Sequence, residues 1–265
     1  MKKPVLKSYI IALQMTVALA SCTKVIDLKL RDNTGKLVIE GNITNKRDPQ
    51  YIKLSQNVAF TSTNTYPPVT GAAVSVRDNS GNTFPFVEGP AGTYAINLKG
   101  SPGKIYTMNV KANGTIYTAD SQMPKVVALD SITEKEDAFN KGNKHRQIAV
   151  HFQDPPGVAN QYRFILTLNG VQVNRIFAFS DEFFDGRNVS LDLFQNDVDI
   201  LPGDTVIVEM QCLDKPIYTY WFTLMQQGNG PGGGVSPSNP PTNIAPAALG
   251  YFSVHTTQTL TLKVR

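Results

Sequence analysis

Past its first twenty-one residues the chain lacks any apolar run long enough to cross a bilayer as a helix, which takes about 20 residues. Any hold on a membrane must therefore come from somewhere other than a spanning segment. Cysteine is also scarce, with only Cys22 and Cys212 present. Because Cys22 has another use, argued below, Cys212 has no partner in the chain, and the fold must be stable without a disulfide. Cys212 follows Val206-Ile207-Val208 and reads as a small buried apolar residue rather than a nucleophile. The three histidines, His145, His151 and His255, stand at no metal-binding spacing. There is no His-Glu-x-x-His, no Gly-x-Ser-x-Gly elbow, no phosphate-cradling glycine loop and no dinucleotide fingerprint after a strand. His151, between Val150 and Phe152, reads as a structural or rim residue. Nothing supplies an activated nucleophile with a base, so the expectation is a protein that is not an enzyme and takes no cofactor. A charge excess is missing too: the formal +4 includes Lys2, Lys3 and Lys7, and falls near +1 without them. That removes the compositional case for nucleic-acid binding.

What the N-terminus does contain is an address. Lys2, Lys3 and Lys7 form a positive region, Tyr9 to Leu19 is apolar apart from Gln14 and Thr16, and Ala20-Ser21 precede Cys22. A short apolar stretch ending in small residues before a cysteine is a lipoprotein signal peptide. Small residues fit a narrow peptidase cleft, and the freed thiol of Cys22 can take a diacylglycerol and palmitate-type acyl chains. Residues 1–21 are thus read as the signal peptide and 22–35 as a lipidated tether. Several acyl chains together make such an anchor stable.

From Lys36 onward short β-branched or aromatic runs alternate with turn residues. Strands are predicted over 36–40, 51–55, 73–77, 83–87, 93–98, 105–110 and 116–119, with turns such as Asp78-Asn79-Ser80-Gly81-Asn82 and Gly100-Ser101-Pro102-Gly103 between them. Strands with one buried and one wet face must close on a second sheet, which is the pattern of a β-sandwich. Val74, Val76, Tyr94, Ile96, Leu98, Tyr106, Met108 and Val110 are its core candidates. Met123-Pro124-Lys125 interrupts the pattern, and a second β-rich region follows, with strands over 131–135, 146–153, 161–168, 171–179, 189–193, 205–213 and 250–265. Ile217, Tyr220, Trp221, Leu224 and Met225 recur at helical spacing, predicting a short amphipathic helix from Lys215 that ends at Gly228. The fold class expected is all-β: two immunoglobulin-like β-sandwich domains in tandem, 36–124 and 125–265, the second with one short helix.

Residues 228–246 are the most biased segment, rich in glycine and proline, and read as a surface loop in which no packed element forms. Two acidic clusters stand out. Asp181, Glu182 and Asp185 before Gly186 have the ligand type for calcium but lack the 12-residue loop of an EF-hand, and read as a solvated turn. Asp192, Asp197, Asp199 and Asp204 read as turn residues.

Several segments in order, Lys36-Leu37-Val38-Ile39-Glu40-Gly41-Asn42-Ile43-Thr44, Tyr66-Pro67-Pro68-Val69-Thr70-Gly71-Ala72-Ala73-Val74, Met123-Pro124, Asn239-Pro240-Pro241-Thr242-Asn243-Ile244 and Leu249-Gly250-Tyr251-Phe252, carry a resemblance. With Cys22 and Lys24-Val25-Ile26-Asp27, they make the chain similar to the Bacteroidota outer-membrane lipoproteins grouped as domain-of-unknown-function family 4249. The resemblance implies an envelope lipoprotein often found with TonB-dependent outer-membrane transporters, and it carries over no catalytic residues. The function expected is a non-enzymatic accessory or binding subunit, held in the outer membrane by its lipid beside such a transporter. The alternative is a free-standing glycan- or peptide-binding surface lipoprotein. Asn239, Pro240, Pro241, Asn243 and Tyr251 are the candidate partner-binding residues.

Overall fold

A computed structural model describes residues 34–59, 62, 65–136, 145–228 and 239–265. Cys22, the signal peptide, residues 22–33 of the tether and residues 229–238 of the Gly/Pro-rich loop lie outside the described residues. The first strands are β1 (Leu37–Thr44), β2 (Asp48–Gln56), β3 (Ala73–Asp78), β4 (Thr83–Glu88), β5 (Thr93–Leu98), β6 (Ile105–Ala112) and β7 (Thr115–Gln122). They are followed by β8 (Ser131–Glu136), β9 (Arg146–Gln153), β10 (Gln161–Leu168), β11 (Val171–Gln172), β12 (Phe177–Ser180), β13 (Asn188–Asp192) and β14 (Thr205–Leu213). The chain ends with helix α1 (Lys215–Gly228), β15 (Ile244–Ala245) and β16 (Leu249–Lys263). The molecule is mostly β, with sandwich-like sheets and, among the described residues, one α-helix. None of the described helices is long and apolar enough to cross a membrane.

Thirteen strands form one continuous ladder, β11-β10-β14-β16-β1-β2-β5-β4-β3-β6-β7-β15, with β12 also on β10, and β13-β9-β8 form a separate sheet. The long ladder turns a corner at β4 and β5, which pair only through Val87↔Ala95 and Glu88↔Tyr94. Past that corner the strands fold back as a second layer, so β16, β1, β2 and β5 face β4, β3, β6, β7 and β15 across a first core. That core holds Ile39, Ile43, Ile52, Val76, Tyr94, Met108 and Val110. Ile96 and Leu98 are only partly buried at its margin. A second core lies between the β10-β14-β16 layer and the three-stranded sheet, built on Val150, Phe152, Tyr162, Phe164, Leu166, Val208 and Met210.

β16 joins the two. Its first half runs parallel to β1, from Val38↔Leu249 to Thr44↔His255, and its second half runs antiparallel to β14, from Cys212↔Thr256 to Thr205↔Lys263. Because side chains alternate along a strand, Phe252 and Val254 enter the first core, while Leu260, Leu262 and Val264 face the second. The first core also takes Ile244 and Ala248, so a linear division of the chain near residue 125 leaves four of its buried residues on the far side.

Two local features depart from the sequence expectation. The strand expected over 171–179 is broken: β11 pairs Leu168↔Val171 and β12 resumes at Phe164↔Phe177. That places two more residues on this side than on β10, a bulge. An even insertion preserves which face each side chain takes, so Val173 and Phe177 both stay buried. The second departure corrects the reading of 228–246 as free of packed structure. Ile244 is 4% exposed in the first core, and β15 pairs with β7 through Ile244↔Ala119.

α1 begins where its sequence allows. Asp214 caps it, its Oδ1 accepting from the Ile217 N–H at 3.2 Å, and Pro216 sits in the first turn, where its missing N–H costs nothing. The other Asp214 oxygen accepts from Ser121 Oγ (2.8 Å) and the Gln122 N–H (2.9 Å), tying the helix start to β7. Ile217 and half-buried Trp221 and Tyr220 pack with Leu213 and Tyr251, on the side of β16 opposite the cores.

Candidate functional site

A cavity of about 550 Å³ lies on the outer side of β1. Its floor follows from strand alternation. Leu37 and Ile39 point into the core, so Lys36, Val38 and Glu40 share the other face and line the cavity. Tyr66 and Ser55 close one side, Tyr220 of α1 another, and Asn239, Pro240, Thr242 and the backbone around Gly250 the third. Tyr66 is 54% exposed, a ring held at the surface. Lys36 and Glu40 are exposed, and neither head group forms an ion pair or hydrogen bond with another described side chain.

Gly250 shapes this wall. Its φ is +91°, and a Cβ there would stand 2.0 Å from the Ile39 carbonyl oxygen, so only glycine lets β16 approach β1 this closely.

Beside the cavity the aromatic residues form a rigid cluster. Tyr220 and Tyr251 have ring centroids 5.0 Å apart, and Trp221 lies 5.2 Å from Tyr251, edge to face. The Arg163 guanidinium sits over the Trp221 ring at 3.5 Å, a cation–π contact. One of its nitrogens donates to Gln211 Oε1 at 3.2 Å, while its Nε is buried without a partner among the described residues. Burial pushes the Tyr220 phenol up to about 12, so it stays neutral at every physiological pH. Asn42 Nδ2 donates to the Tyr251 hydroxyl at 3.3 Å. His255, on the same strand, is fully enclosed and shares a hydrogen bond with Ser253 Oγ at 2.9 Å. Burial holds its imidazole down to about 4, so it is neutral and structural at pH 7.

The structure separates the candidate partner-binding residues into two groups. Asn239 and Pro240 line the cavity, and Pro241 is exposed next to them. Asn243 is committed inward: Nδ2 donates to the Asp120 and Phe252 carbonyls (3.0 and 2.8 Å), and Oδ1 accepts from the Phe252 N–H (3.0 Å). Tyr251 is 7% exposed beneath the helix. Lys36, Glu40, Tyr66 and Tyr220 were missed as site residues. The alternation of β1 does place 36 and 40 on the non-core face, but nothing in the sequence says which distant segments roof that face.

The acidic turn is assembled differently from its order in the chain. Asp181 and Asp185 come together with Asp154, all three offering oxygens within 4.8 Å of one another, and Glu182 is outside the group. Most of these oxygens hold the turns together. Asp154 accepts from the Tyr162 hydroxyl and from the Gly186 N–H at 3.0 Å, Asp181 from the Asn160 N–H at 2.6 Å, and Asp185 from the Gly157 N–H at 2.8 Å. Burial, with Asp154 and Asp185 nearby, raises the Asp181 carboxyl above its ordinary 3.8. An acid raised by folding binds its proton more tightly in the native state. It therefore lowers stability as pH climbs from 3.8 through the raised value. Asp181→Asn is expected to raise the melting temperature at pH 7 and to lose that advantage near pH 3.5, about where the unfolded carboxyl is also protonated. An unchanged melting temperature at both pH values would sink this account.

The remaining groups named from the sequence have structural surroundings. His151 Nε2 hydrogen-bonds Thr133 Oγ1 across the β8–β9 pair at 2.7 Å. Cys212 is buried, and burial pushes its thiol up, away from the reactive thiolate.

Comparison with solved structures finds similarity to a two-domain fibronectin type-III segment from chicken tenascin, at 13% identity and TM-score 0.22, covering 68% of this chain and 91% of that one. A cytokine receptor complex is similar at 10% identity and TM-score 0.26, covering 86% and 95%. No curated protein sequence matches. The family model described as a domain of unknown function, DUF4249, matches residues 23–261, and the chain belongs to that family.

Proposed function

We propose that the protein is a non-enzymatic lipoprotein, held in the outer membrane through acylated Cys22, that acts as an accessory or binding subunit beside a TonB-dependent transporter. The leader ending at Cys22 supports the anchor. The binding role draws on one structural observation: the cavity of about 550 Å³ whose rim is formed by Asn239 and Pro240 and whose walls combine aromatic rings with the charges of Lys36 and Glu40. Concave sites of roughly 300–1,000 Å³ with a few convergent polar groups are the usual form of a ligand pocket.

The test is an affinity pull-down from mild-detergent outer membranes, using the lipidated chain tagged after Arg265 and a variant lacking residues 229–238. The deletion stops short of Asn243 and Ile244, because those two hold β15 and β16 in place. A transporter barrel is expected with the intact chain and diminished with the deletion. Recovery of the lipoprotein alone in both cases would turn the reading toward a free-standing binder.

A further inference from the structure

The cavity is lined by one cationic and one anionic side chain. Lys36, immediately before β1, and Glu40 on it stand four positions apart along the extended chain, so their Cα atoms are separated by about 13 Å. Both head groups are unpaired among the described residues. Between and around them the walls mix apolar and aromatic groups, Val38, Tyr66, Tyr220 and Pro240, with the polar side chains of Ser55, Asn239 and Thr242. Lys53 lies opposite Glu40 on β2 but does not line the cavity.

A ligand that satisfies this layout carries one positive and one negative end joined by a middle that mixes apolar and hydrogen-bonding groups, as a peptide backbone with its side chains does. An extended chain of four residues spans at most about 14 Å, so a tetrapeptide places its ammonium at Glu40 and its carboxylate at Lys36. Other classes fit less well. β1 is hydrogen-bonded to β16 on one side and β2 on the other, leaving no free ladder for adding a long peptide strand. A polyanion meets Glu40, and a neutral sugar leaves both charges without a counter-charge. We infer that this cavity binds short linear peptides with free termini, about three to five residues long, recognised by their two end charges. The inference rests on the reading of the protein as a binding subunit and names its ligand class.

The experiment uses the mature lipidated chain in mild detergent, dialysed against a random tetrapeptide pool and read by mass spectrometry of the retained peptides. Parallel pools are N-acetylated or C-amidated, and maltotriose serves as the neutral sugar. Retention of free-ended peptides is expected, weakened about tenfold or more by either block, the size of one lost charge-assisted contact. Glu40→Gln should remove the discrimination against acetylation, and Lys36→Met the discrimination against amidation. Both positions are exposed, so neither change disturbs the core. Equal retention of free and blocked pools, no retention from any pool, or retention of maltotriose in their place would overturn the inference. A barrel that still co-purifies while no peptide is retained overturns this inference alone. Peptide retention without a barrel overturns only the accessory-subunit reading.

Discussion

Residues 23–124 expressed alone should give a chain with no cooperative unfolding transition, although they contain seven of the strands of the first sandwich. The missing pieces come from the far end of the sequence. Without β16, β1 loses its parallel partner along Val38 to Thr44 and becomes an unpaired edge, prone to aggregation. The core loses Ile244, Ala248, Phe252 and Val254 together. Phe252 is fully buried, and its ring occupies the space over Gly41, where a Cβ would come within 2.8 Å of it. Removing a buried phenylalanine alone costs about 3–5 kcal/mol, and the whole net stability of a domain is only about 5–15 kcal/mol. Phe252→Ala in the full chain should therefore cost about 3–5 kcal/mol by urea unfolding, and the four losses combined should exceed what the fragment can spare. Circular dichroism and a melting curve decide the matter. A sharp transition in the fragment would show that the first sandwich is autonomous and that β16 is only an accessory to it.

Gly250→Ala should also be strongly destabilising, for a backbone reason rather than a lost contact. Two penalties add at this position. The residue must keep φ at +91°, a conformation that costs a side-chain-bearing residue about 1–2 kcal/mol. The new methyl must also share space with the Ile39 carbonyl, 2.0 Å away. That oxygen belongs to the backbone of β1, so relief requires the two strands to part. A loss of about 3 kcal/mol or more is expected, together with a distorted cavity wall. Gly35→Ala is the control. Its φ is +74° and nothing lies within 4 Å of the new atom, so only the conformational cost of about 1–2 kcal/mol applies. Equal destabilisation by the two substitutions would show that the contact between β16 and β1 is looser than described.

Local periodicity made much of the fold readable in advance. The expected strands over 93–98, 146–153, 161–168 and 205–213 coincide with β5, β9, β10 and β14. The helix expected from Lys215 to its stop at Gly228 is α1. In each case a two-residue or 3.6-residue repeat, punctuated by glycine, proline or an aspartate cap, is a property of neighbouring residues. β15 escaped because two residues make no period, and its place is set by Asn243 and Ile244 meeting β7 and β16. The bulge at Asn174 and Arg175 escaped because a two-residue insertion leaves the facing pattern intact.

The candidate site shows the same division. Asp181 and Asp185 stand out as neighbours in the sequence, but Asp154 joins them from a separate turn, and Glu182, adjacent in the chain, does not. Asn239 and Pro240 stood out by composition, whereas Lys36, Glu40, Tyr66 and Tyr220 did not.

By itself, then, the sequence determined the β-rich class, most strand positions and the helix, because each is written in residues within one turn or one strand of each other. Only the tertiary structure decided that β16 completes both sandwiches, that the Gly/Pro-rich region ends in a packed strand, and that Lys36 and Glu40 face a cavity. Those outcomes depend on contacts between segments some two hundred residues apart, such as Val38↔Leu249. Pairings at that separation are selected by the closure of two sheets over a shared core, and no local pattern encodes which distant face a strand will meet.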